Sequence, residues 1–210
     1  MVRAWFINEE DLDEDRLERE NAKLQFIDPE TLTKTTGVVV QAFGTDMDGA
    51  NKSVDSVKNE RGYSYEDCLE IMPDADNLEK LMQKFATEHL HDEEETRFVL
   101  DGSTYFDVRS KDDTWIRVEV TKGDLIIVPP GLYHRLTLTK PKLIKLRRLF
   151  LVKPSWTSFN RPDADNLDCR RDQDDGDPTS TSRNIYIPSI MEVSKKKNRW
   201  HFKLSYFLVN

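Results

Sequence analysis

The composition of this chain is that of one globular domain with an acidic surface. Its 210 residues are 37% hydrophobic and 33% charged, and the net charge is -8. Because the only cationic run is 195–197, and because no apolar run approaches the roughly 18 residues that a membrane span needs, we expect neither a nucleic-acid partner nor a membrane span. Two distant cysteines, Cys68 and Cys169, indicate no disulfide framework and fit a soluble, cytoplasmic protein.

The first 90 residues carry mainly the periodicity of helices. Ser64 with Asp67 resembles a capping box. Apolar residues then recur at i, i+3, i+4 and i+7, the spacing of one buried helix face, as Tyr65, Cys68, Leu69 and Met72 and again as Leu78, Leu81, Met82 and Phe85. The short β-branched segment 37–43 predicts an isolated strand. We therefore predict a mostly helical N-terminal part that packs outside the rest of the fold.

From about Thr87 to Val152 the hydrophobic period changes to two, which indicates strands. Turn sequences interrupt this region at regular intervals, at Asp101-Gly102, at Lys122-Gly123 and at Pro129-Pro130-Gly131. Short strands that alternate with turns every 8 to 12 residues or so are typical of an antiparallel sandwich or barrel. The fold class is therefore mainly β, with the barrel at about 87–152.

The sequence beyond Arg171 differs in character from the rest. Residues 172–183 form a polar linker that is too poor in apolar residues to pack. The following RWHFKLSYFLV alternates as a strand does, so the tail is an extra strand at the barrel edge, a disordered interaction segment, or sequence without a role in folding. We predict a domain at 1–171 and an atypical, partly disordered tail at 172–210, and we do not expect His201 in the tail to be a ligand.

Three of the four histidines lie in the β-rich region, in a pattern that predicts a metal site. His89 and His91 are separated by one residue and so face the same side of a strand. Glu95 follows four residues later, and His134 comes directly after the Pro-Pro-Gly turn. Each residue taken singly is ordinary, but a buried cluster of three imidazoles and a carboxylate is costly without a metal. Imidazole suits Fe, Ni, Cu and Zn.

The same residues stand in sequence strings that resemble one family closely. HLHDEEETRFVLDGSTYFDVR, DTWIRVEVTKGDLIIVPPGLYHRLTL and RRLFLVKPSWTSFNRP, together with VRAWF and ERGYSYEDCLEI, resemble the eukaryotic acireductone dioxygenases of the cupin superfamily over about residues 2–170. The resemblance implies a cupin barrel (a double-stranded β-helix, or jelly roll) and one Fe(II) or Ni(II) per monomer. It places the metal ligands on His89, His91, Glu95 and His134.

The resemblance also implies residues that bind the substrate. Arg97 and Arg148 take the positions of family arginines expected to orient the substrate's oxygens, although Arg97 could simply pair with Glu95 or Glu93 and Arg148 could lie on a solvated rim. Phe85, Phe106 and Trp156 are candidates for a pocket around the methylthio group, unless they are ordinary core residues. Leu136 stands where the family commonly has Phe, and Leu138 where many cupins have Asn.

The activity implied is the cleavage of an acireductone by O2 in methionine salvage. With Fe(II) the family yields 4-methylthio-2-oxobutanoate and formate, and with Ni(II) it yields methylthiopropionate, formate and CO. We expect a monomer in the cytoplasm, with a nuclear pool also compatible with its size. Two alternatives stay open: another metal cupin that acts on a small keto or sugar acid, and a non-catalytic binding protein in which the metal is structural.

Overall fold

The structure is a computed structural model that describes residues 2–8, 24–155 and 157–170, and the backbone of two further strands at 192–196 and 199–203. The chain divides into two compact units, residues 1–176 and 177–210. The predicted domain boundary at 171 and the predicted disorder of the linker 172–183 lie outside the described residues. In the tail, the structure describes two strands, 192–196 and 199–203, which pair with each other in a two-stranded antiparallel sheet.

The described residues form three α-helices, a short 3-10 helix, thirteen strands and a last helical segment at 168–170. The helices are α1 (Pro29–Thr36), α2 (Met47–Arg61) and α3 (Leu78–Ala86), with the 3-10 helix at Asp163–Asn166. The strands are β1 (Arg3–Ile7), β2 (Phe26–Ile27), β3 (Val39–Ala42), β4 (Tyr65–Ile71), β5 (His89–Leu90), β6 (Glu95–Arg109), β7 (Trp115–Thr121), β8 (Asp124–Val128), β9 (His134–Leu138), β10 (Ile144–Phe150), β11 (Phe159–Asn160), β12 (Glu192–Lys196) and β13 (Arg199–Lys203).

The strands of the first unit form two antiparallel faces that share β6. One face has the order β11-β5-β9-β6-β7-β1-β2, and in the other β4 pairs with β10, β10 and β8 both pair with β6, and β3 pairs with β8. The first half of β6 pairs with β8 and β10 and the second half with β7 and β9. The prediction of a mainly β, antiparallel fold is confirmed.

The predicted turn at Asp101-Gly102 is wrong, because β6 continues through it for 15 residues. The glycine marks the place where the strand passes from one face to the other. Gly102 has φ 76°, and a Cβ there would lie 2.1 Å from the carbonyl oxygen of Leu143. A position that requires positive φ and a close backbone approach favours glycine, so the residue that resembled a hairpin signal is used for a bend.

The predicted helix over Tyr65–Met72 is also wrong. These residues form β4, which pairs with β10 along its whole length. The segment YEDCLEI satisfies period two as well as the helical period, and in the structure its odd-numbered residues are the less exposed ones. One of them is Asp67, whose partner Arg148 lies on β10. The strand is therefore selected by a contact 81 residues away. The predicted helix at 78–85 is confirmed as α3. The predicted strand at 37–43 is present as β3, but it is not isolated, because it pairs with β8.

Helix α2 packs on the outside of the β structure, as predicted, whereas Leu32 of α1 lies in the core between the two faces and α3 packs against that core. Strands β1, β2 and β4 make the N-terminal part less helical than expected. Helix α2 buries Ala50, Val54 and Val57 against outward-facing residues of β6 and β8, including Phe98 and Leu125. The main core lies between the two faces and consists of alternate residues such as Phe106, Val108, Ile116, Val118, Ile126, Val128, Ile144 and Leu146. This core surrounds the inward-facing polar residues described below.

A row of charged residues crosses the outer side of the first face. Asp107 on β6 is fully buried and accepts two hydrogen bonds from Arg117 on β7, at 2.6 and 2.8 Å, and one from Arg135 on β9 at 2.9 Å. Trp115 lies 4.4 Å from the Arg135 guanidinium, and Tyr105 lies 4.8 Å from that of Arg117. One carboxylate thus pairs with two arginines, and an aromatic ring lies over each guanidinium.

Replacing this carboxylate with an amide should destabilise the fold strongly. Asp107→Asn keeps the shape of the side chain but leaves two buried guanidiniums without an opposite charge. Breaking a buried ion pair by removing one partner costs about 3–5 kcal/mol, so we expect the free energy of unfolding in urea to fall by about that amount. Asp101→Asn on the same strand is the control, because its exposed pair with Lys122 contributes about 0–1 kcal/mol. Equal effects of the two substitutions would contradict this account.

Candidate metal centre

The structure brings His89, His91 and His134 together at one end of the first face. His89 lies on β5 directly opposite His134, the first residue of β9, and His91 follows the end of β5. The ring centroids are separated by 4.6 Å (His89–His134), 5.1 Å (His89–His91) and 5.4 Å (His91–His134). One ring nitrogen of each imidazole lies within 4.8 Å of the other two, a spacing that a single ion can bridge.

Glu95 completes the group from the first position of β6. Its Oε2 lies 3.1 Å from Nε2 of His91 and 3.6 Å from Nε2 of His134. Burial favours the protonated carboxyl, but the positive charge of Arg97, together with the nearby imidazoles, outweighs burial and holds the pKa of Glu95 well below its usual range. The site therefore presents an ionised carboxylate beside the three imidazoles.

Backbone carbonyl groups fix the protonation of the three rings. Nδ1 of His89 lies 2.7 Å from the carbonyl oxygen of Thr87, that of His91 lies 2.7 Å from Thr157, and that of His134 lies 2.9 Å from Leu132. A carbonyl oxygen can only accept a hydrogen bond, so each Nδ1 donates. In each neutral imidazole the Nε2 atom is then the one with a lone pair.

The donor set fits a divalent transition metal. Nε2 of His134 is buried and has no hydrogen-bond partner, which is an unsatisfied acceptor unless a cation binds it. Burial, followed by the charge of His134, lowers the pKa of His89 to about 4, which keeps its ring neutral. Burial also acts to lower the pKa of His91, but the Glu95 carboxylate outweighs it and the pKa rises. Imidazole nitrogens with one carboxylate suit first-row transition metals rather than Ca²⁺ or Mg²⁺.

Arg97 lies beside this group and is 9% exposed. Its Nη2 is 3.2 Å from Oε2 of Glu95, its Nη1 donates to the Thr96 carbonyl oxygen at 3.0 Å, and its guanidinium lies 5.1 Å from the centre of the Phe150 ring. The ion pair with Glu95 that we considered as an alternative is present. It does not remove Arg97 from the cavity, because the side chain lines the cavity wall.

Arg148 lines the same cavity and is not on a solvated rim. Its Nε and Nη2 atoms bond both oxygens of Asp67, at 2.6 and 2.8 Å. The bidentate pair fixes the plane of the guanidinium next to Arg97, its register neighbour. The sequence did not reveal this role of Asp67, because the residue lies in the segment predicted as a helix, where it was assigned to a capping box.

The cavity beside the metal centre has a volume of about 150 Å³. Its polar lining residues are Lys84, His89, His91, Glu95, Arg97, His134, Arg148 and Ser158, and its apolar lining residues, here called the apolar wall, are Leu69, Ile71, Phe85, Leu136, Ile144 and Leu146. Two predicted pocket residues, Phe85 and Leu136, are on this wall. Phe106 is fully buried in the main core, opposite Leu136 in the strand register, and is not among the lining residues. Trp156 lies outside the described residues, and Leu138 packs in the core.

Besides the role of Asp67, sequence reasoning missed two parts of the site. Two apolar wall residues, Leu69 and Ile71, lie in the segment wrongly predicted as a helix. The carbonyl acceptors of Thr87, Leu132 and Thr157 carry no sequence signal, since every residue has a carbonyl group.

Among the described residues, no helix is both long and apolar enough to cross a membrane.

Comparison with known proteins gives a consistent result. Residues 3–158 match the sequence model of the ARD/ARD' family. An acireductone dioxygenase of Drosophila pseudoobscura pseudoobscura is 43% identical over 175 residues, which cover 81% of this chain and 91% of that protein. One of Branchiostoma floridae is 42% identical over 173 residues, covering 82% and 95%, and one of Vitis vinifera is 40% identical over 161 residues, covering 76% and 85%.

A solved structure has a similar fold. It is an acireductone dioxygenase from Bacillus anthracis with a cadmium ion in its active centre. The TM-score is 0.60, the sequence identity is 23%, and the match covers 76% of this chain and 98% of that one. The likeness supports the cupin barrel that the sequence predicted.

A divalent transition metal should stabilise this protein through the four converging groups. Ni(II) at about 100 times its dissociation constant is expected to raise the free energy of unfolding by about 2.7 kcal/mol. His134→Gln, which removes the imidazole nitrogen that would ligate the metal while keeping similar bulk, should abolish most of this gain in the free energy of unfolding. His201→Gln is the control, because His201 belongs to the other unit. The predicted ligand set is wrong if Ni(II) stabilises the His134→Gln protein as much as the original chain, as measured by urea unfolding with and without Ni(II).

Proposed function

Because this chain belongs to the ARD/ARD' family, we propose that it is an acireductone dioxygenase, a metal-dependent enzyme that cleaves an acireductone with O2. The acireductone is a 1,2-dihydroxy-3-keto thioether, which readily loses protons to give an electron-rich enediolate. The observation that carries this function is the convergence of three imidazoles and one carboxylate at a cavity that is lined by two arginines and six apolar side chains. Such a cavity suits a small anion with an apolar end.

We assign the metal to His89, His91, Glu95 and His134, with one Fe(II) or Ni(II) per monomer. When bound, the ion supplies a Lewis acid that binds and polarises oxygen atoms of the substrate. The carbonyl hydrogen bonds at Nδ1 orient the three rings, and such outer partners are typically needed for full metal affinity. Glu95 contributes the single negative charge, so a divalent ion leaves the site with a net charge of +1 that favours an anionic chelating substrate.

The two arginines bind and orient the substrate's oxygens. Arg97 is held by the Thr96 carbonyl and Glu95, and Arg148 by Asp67, so both guanidiniums are fixed in place before the substrate arrives. Prepositioned charges of this kind avoid a reorganisation cost during the reaction. Arginine suits the role because its guanidinium stays charged when buried and has several donors in one plane.

The apolar wall accommodates the methylthio end of the substrate. Phe85 and Leu136 face the cavity together with four aliphatic side chains from β4 and β10. In this arrangement the apolar end of the substrate lies against these side chains, and its enediolate oxygens lie beside Arg97 and Arg148. Leu136, a smaller side chain than the Phe common in the family, leaves more room on this wall.

The metal selects the products. The enediolate can itself supply electrons to O2, so the reaction does not depend on the redox properties of the ion. The same protein groups can therefore serve with either ion. The Fe(II) form gives 4-methylthio-2-oxobutanoate and formate, and the Ni(II) form gives methylthiopropionate, formate and CO. The enzyme acts as a monomer in the methionine salvage pathway. Its acidic net charge supports the absence of a nucleic-acid partner. Its two distant cysteines support a location in the cytoplasm, and the size of the protein is compatible with a nuclear pool as well.

Reconstitution of metal-free protein tests this function directly. Protein loaded anaerobically with Fe(II) or with Ni(II) is mixed with synthetic acireductone and O2, and the products are analysed. We expect faster consumption than in protein-free controls and formate from both forms, with CO only from the nickel form. Tight metal binding without faster consumption would reject the dioxygenase, and would favour a cupin that acts on another small acid or a binding protein with a structural metal.

Removing the Arg97 guanidinium should impair turnover. A hydrogen bond to a charged group contributes about 1.5–3 kcal/mol, so Arg97→Gln should lower kcat/KM about 10- to 100-fold with either metal. Arg147→Gln is the matched control: Arg147 lies on β10 but bonds Asp55 and Glu66 away from the cavity, and its loss should leave kcat/KM nearly unchanged. Metal content is measured in both variants, since Arg97 also contacts Glu95. A full-activity, fully loaded Arg97→Gln enzyme would contradict the assigned role.

A further inference from the structure

A hydrogen-bonded network lies on the side of the chain opposite to the Glu95 carboxylate. Glu95 is the first residue of β6, and Glu94 and Thr96 on either side of it point the opposite way because side chains alternate along an extended segment. The hydroxyl of Tyr63 contacts both of them. It lies 2.7 Å from the Thr96 hydroxyl and donates to the Glu94 carboxylate.

Arg61 closes this network. Its Nε donates to the Tyr63 hydroxyl at 2.9 Å and to the Glu94 carboxylate at 3.3 Å, and its Nη2 donates to the second Glu94 oxygen. Tyr63 is 4% exposed and Thr96 is fully buried, while the Arg61 and Glu94 side chains are 18% and 17% exposed. Charge-assisted hydrogen bonds that are largely shielded from water are among the stronger ones in proteins.

Both partners come from the end of one helix. Arg61 is the last residue of α2, and the following glycine adopts φ 73°, which turns the chain so that Tyr63 packs into the second core cluster. The Tyr63 amide donates to the Lys58 carbonyl at 3.0 Å, which fixes the tyrosine to the helix end. The network therefore ties a helix end to the residues on both sides of Glu95.

We infer that Arg61, Tyr63 and Glu94 are positioning residues that hold Glu95 at the distance from the histidines that metal binding requires. A residue at the end of a strand lacks the support of hydrogen-bonded neighbours on one side, and the chain between His91 and Glu95 is an irregular bend. The tyrosine hydroxyl bridges this bend to the strand by bonding Glu94 and Thr96 at once. The inference rests on the proposed metal centre, and none of the three residues touches the substrate cavity described above.

The test compares metal binding in two tyrosine variants of the full chain. Tyr63→Phe keeps the ring in the core and removes only the hydroxyl, and Tyr105→Phe does the same on the outer side of β6, ten residues from Glu95. Each metal-free protein is titrated with Ni(II) against a chromophoric chelator, and its Co(II) form is examined by visible absorption. Loss of a direct hydrogen-bond partner of a metal ligand typically weakens metal binding by about 10- to 100-fold. Tyr63 acts on Glu95 through its two chain neighbours, so the lower end of that range applies.

We expect Tyr63→Phe to weaken Ni(II) binding about 10-fold or more and to change the Co(II) bands, because the carboxylate ligand is displaced. Tyr105→Phe should keep both values. Tyr63→Phe protein with the original affinity and Co(II) spectrum would overturn the inference even if its melting temperature fell, since that result describes a purely structural tyrosine.

A second variant covers the case in which Tyr63→Phe does not fold. Glu94→Gln keeps the shape of the side chain but removes the charge that Arg61 bonds, and the same two measurements decide the outcome in the same way. If the original chain and Tyr105→Phe both fail to bind Ni(II), the proposed metal centre itself fails, and the inference fails with it. If both of these proteins bind Ni(II), and Tyr63→Phe and Glu94→Gln bind it equally well, the metal centre stands and the positioning role is rejected.

Discussion

The site depends on one constraint: each of three imidazoles must direct its Nε2 lone pair to a common point. A neutral ring meets this constraint only if Nδ1 carries the proton. A backbone carbonyl oxygen beside Nδ1 favours that tautomer, because it can only accept a hydrogen bond. The three carbonyls belong to segments that are distant in sequence, after α3, after the Pro-Pro-Gly turn and in the chain that follows β10. The metal centre therefore requires that all three segments pack correctly, and the packing of the barrel end serves this purpose.

The long strand β6 connects this constraint to the rest of the fold. Its first residue supplies the carboxylate, its third residue supplies Arg97, and its second half supplies Asp107, the charge at the centre of the buried row. One strand can serve both faces because Gly102 allows it to bend where a side chain would collide with the Leu143 carbonyl. The position of Glu95 is thus linked to the packing of both faces, which explains why a polar group can be held rigidly in an otherwise apolar interior.

Several buried charges among the described residues lie next to opposite charges that strand register brings together. Arg148 faces Asp67 across β10 and β4, and Arg117 and Arg135 face Asp107 across β7, β6 and β9. Burying a charge without a partner is costly, so a slip of one residue in any of these strands would separate the pairs as well as reverse the hydrophobic faces. The arginines at the cavity are consequently held by the same register that defines the core.

The sequence by itself determined the β-rich barrel, the helix at 78–85, the strand at 37–43 and the identity of the four polar residues that converge, because periodicity and the spacing of His89, His91, Glu95 and His134 are local or motif-level properties. It did not determine that 65–71 is a strand, that Asp101-Gly102 is a bend, or that Phe106 belongs to the core. Those outcomes depend on partners far away in the chain, as Asp67 depends on Arg148. Tertiary structure alone decided them, because a short segment that satisfies two periods adopts the one that buries its apolar side and pairs its charge.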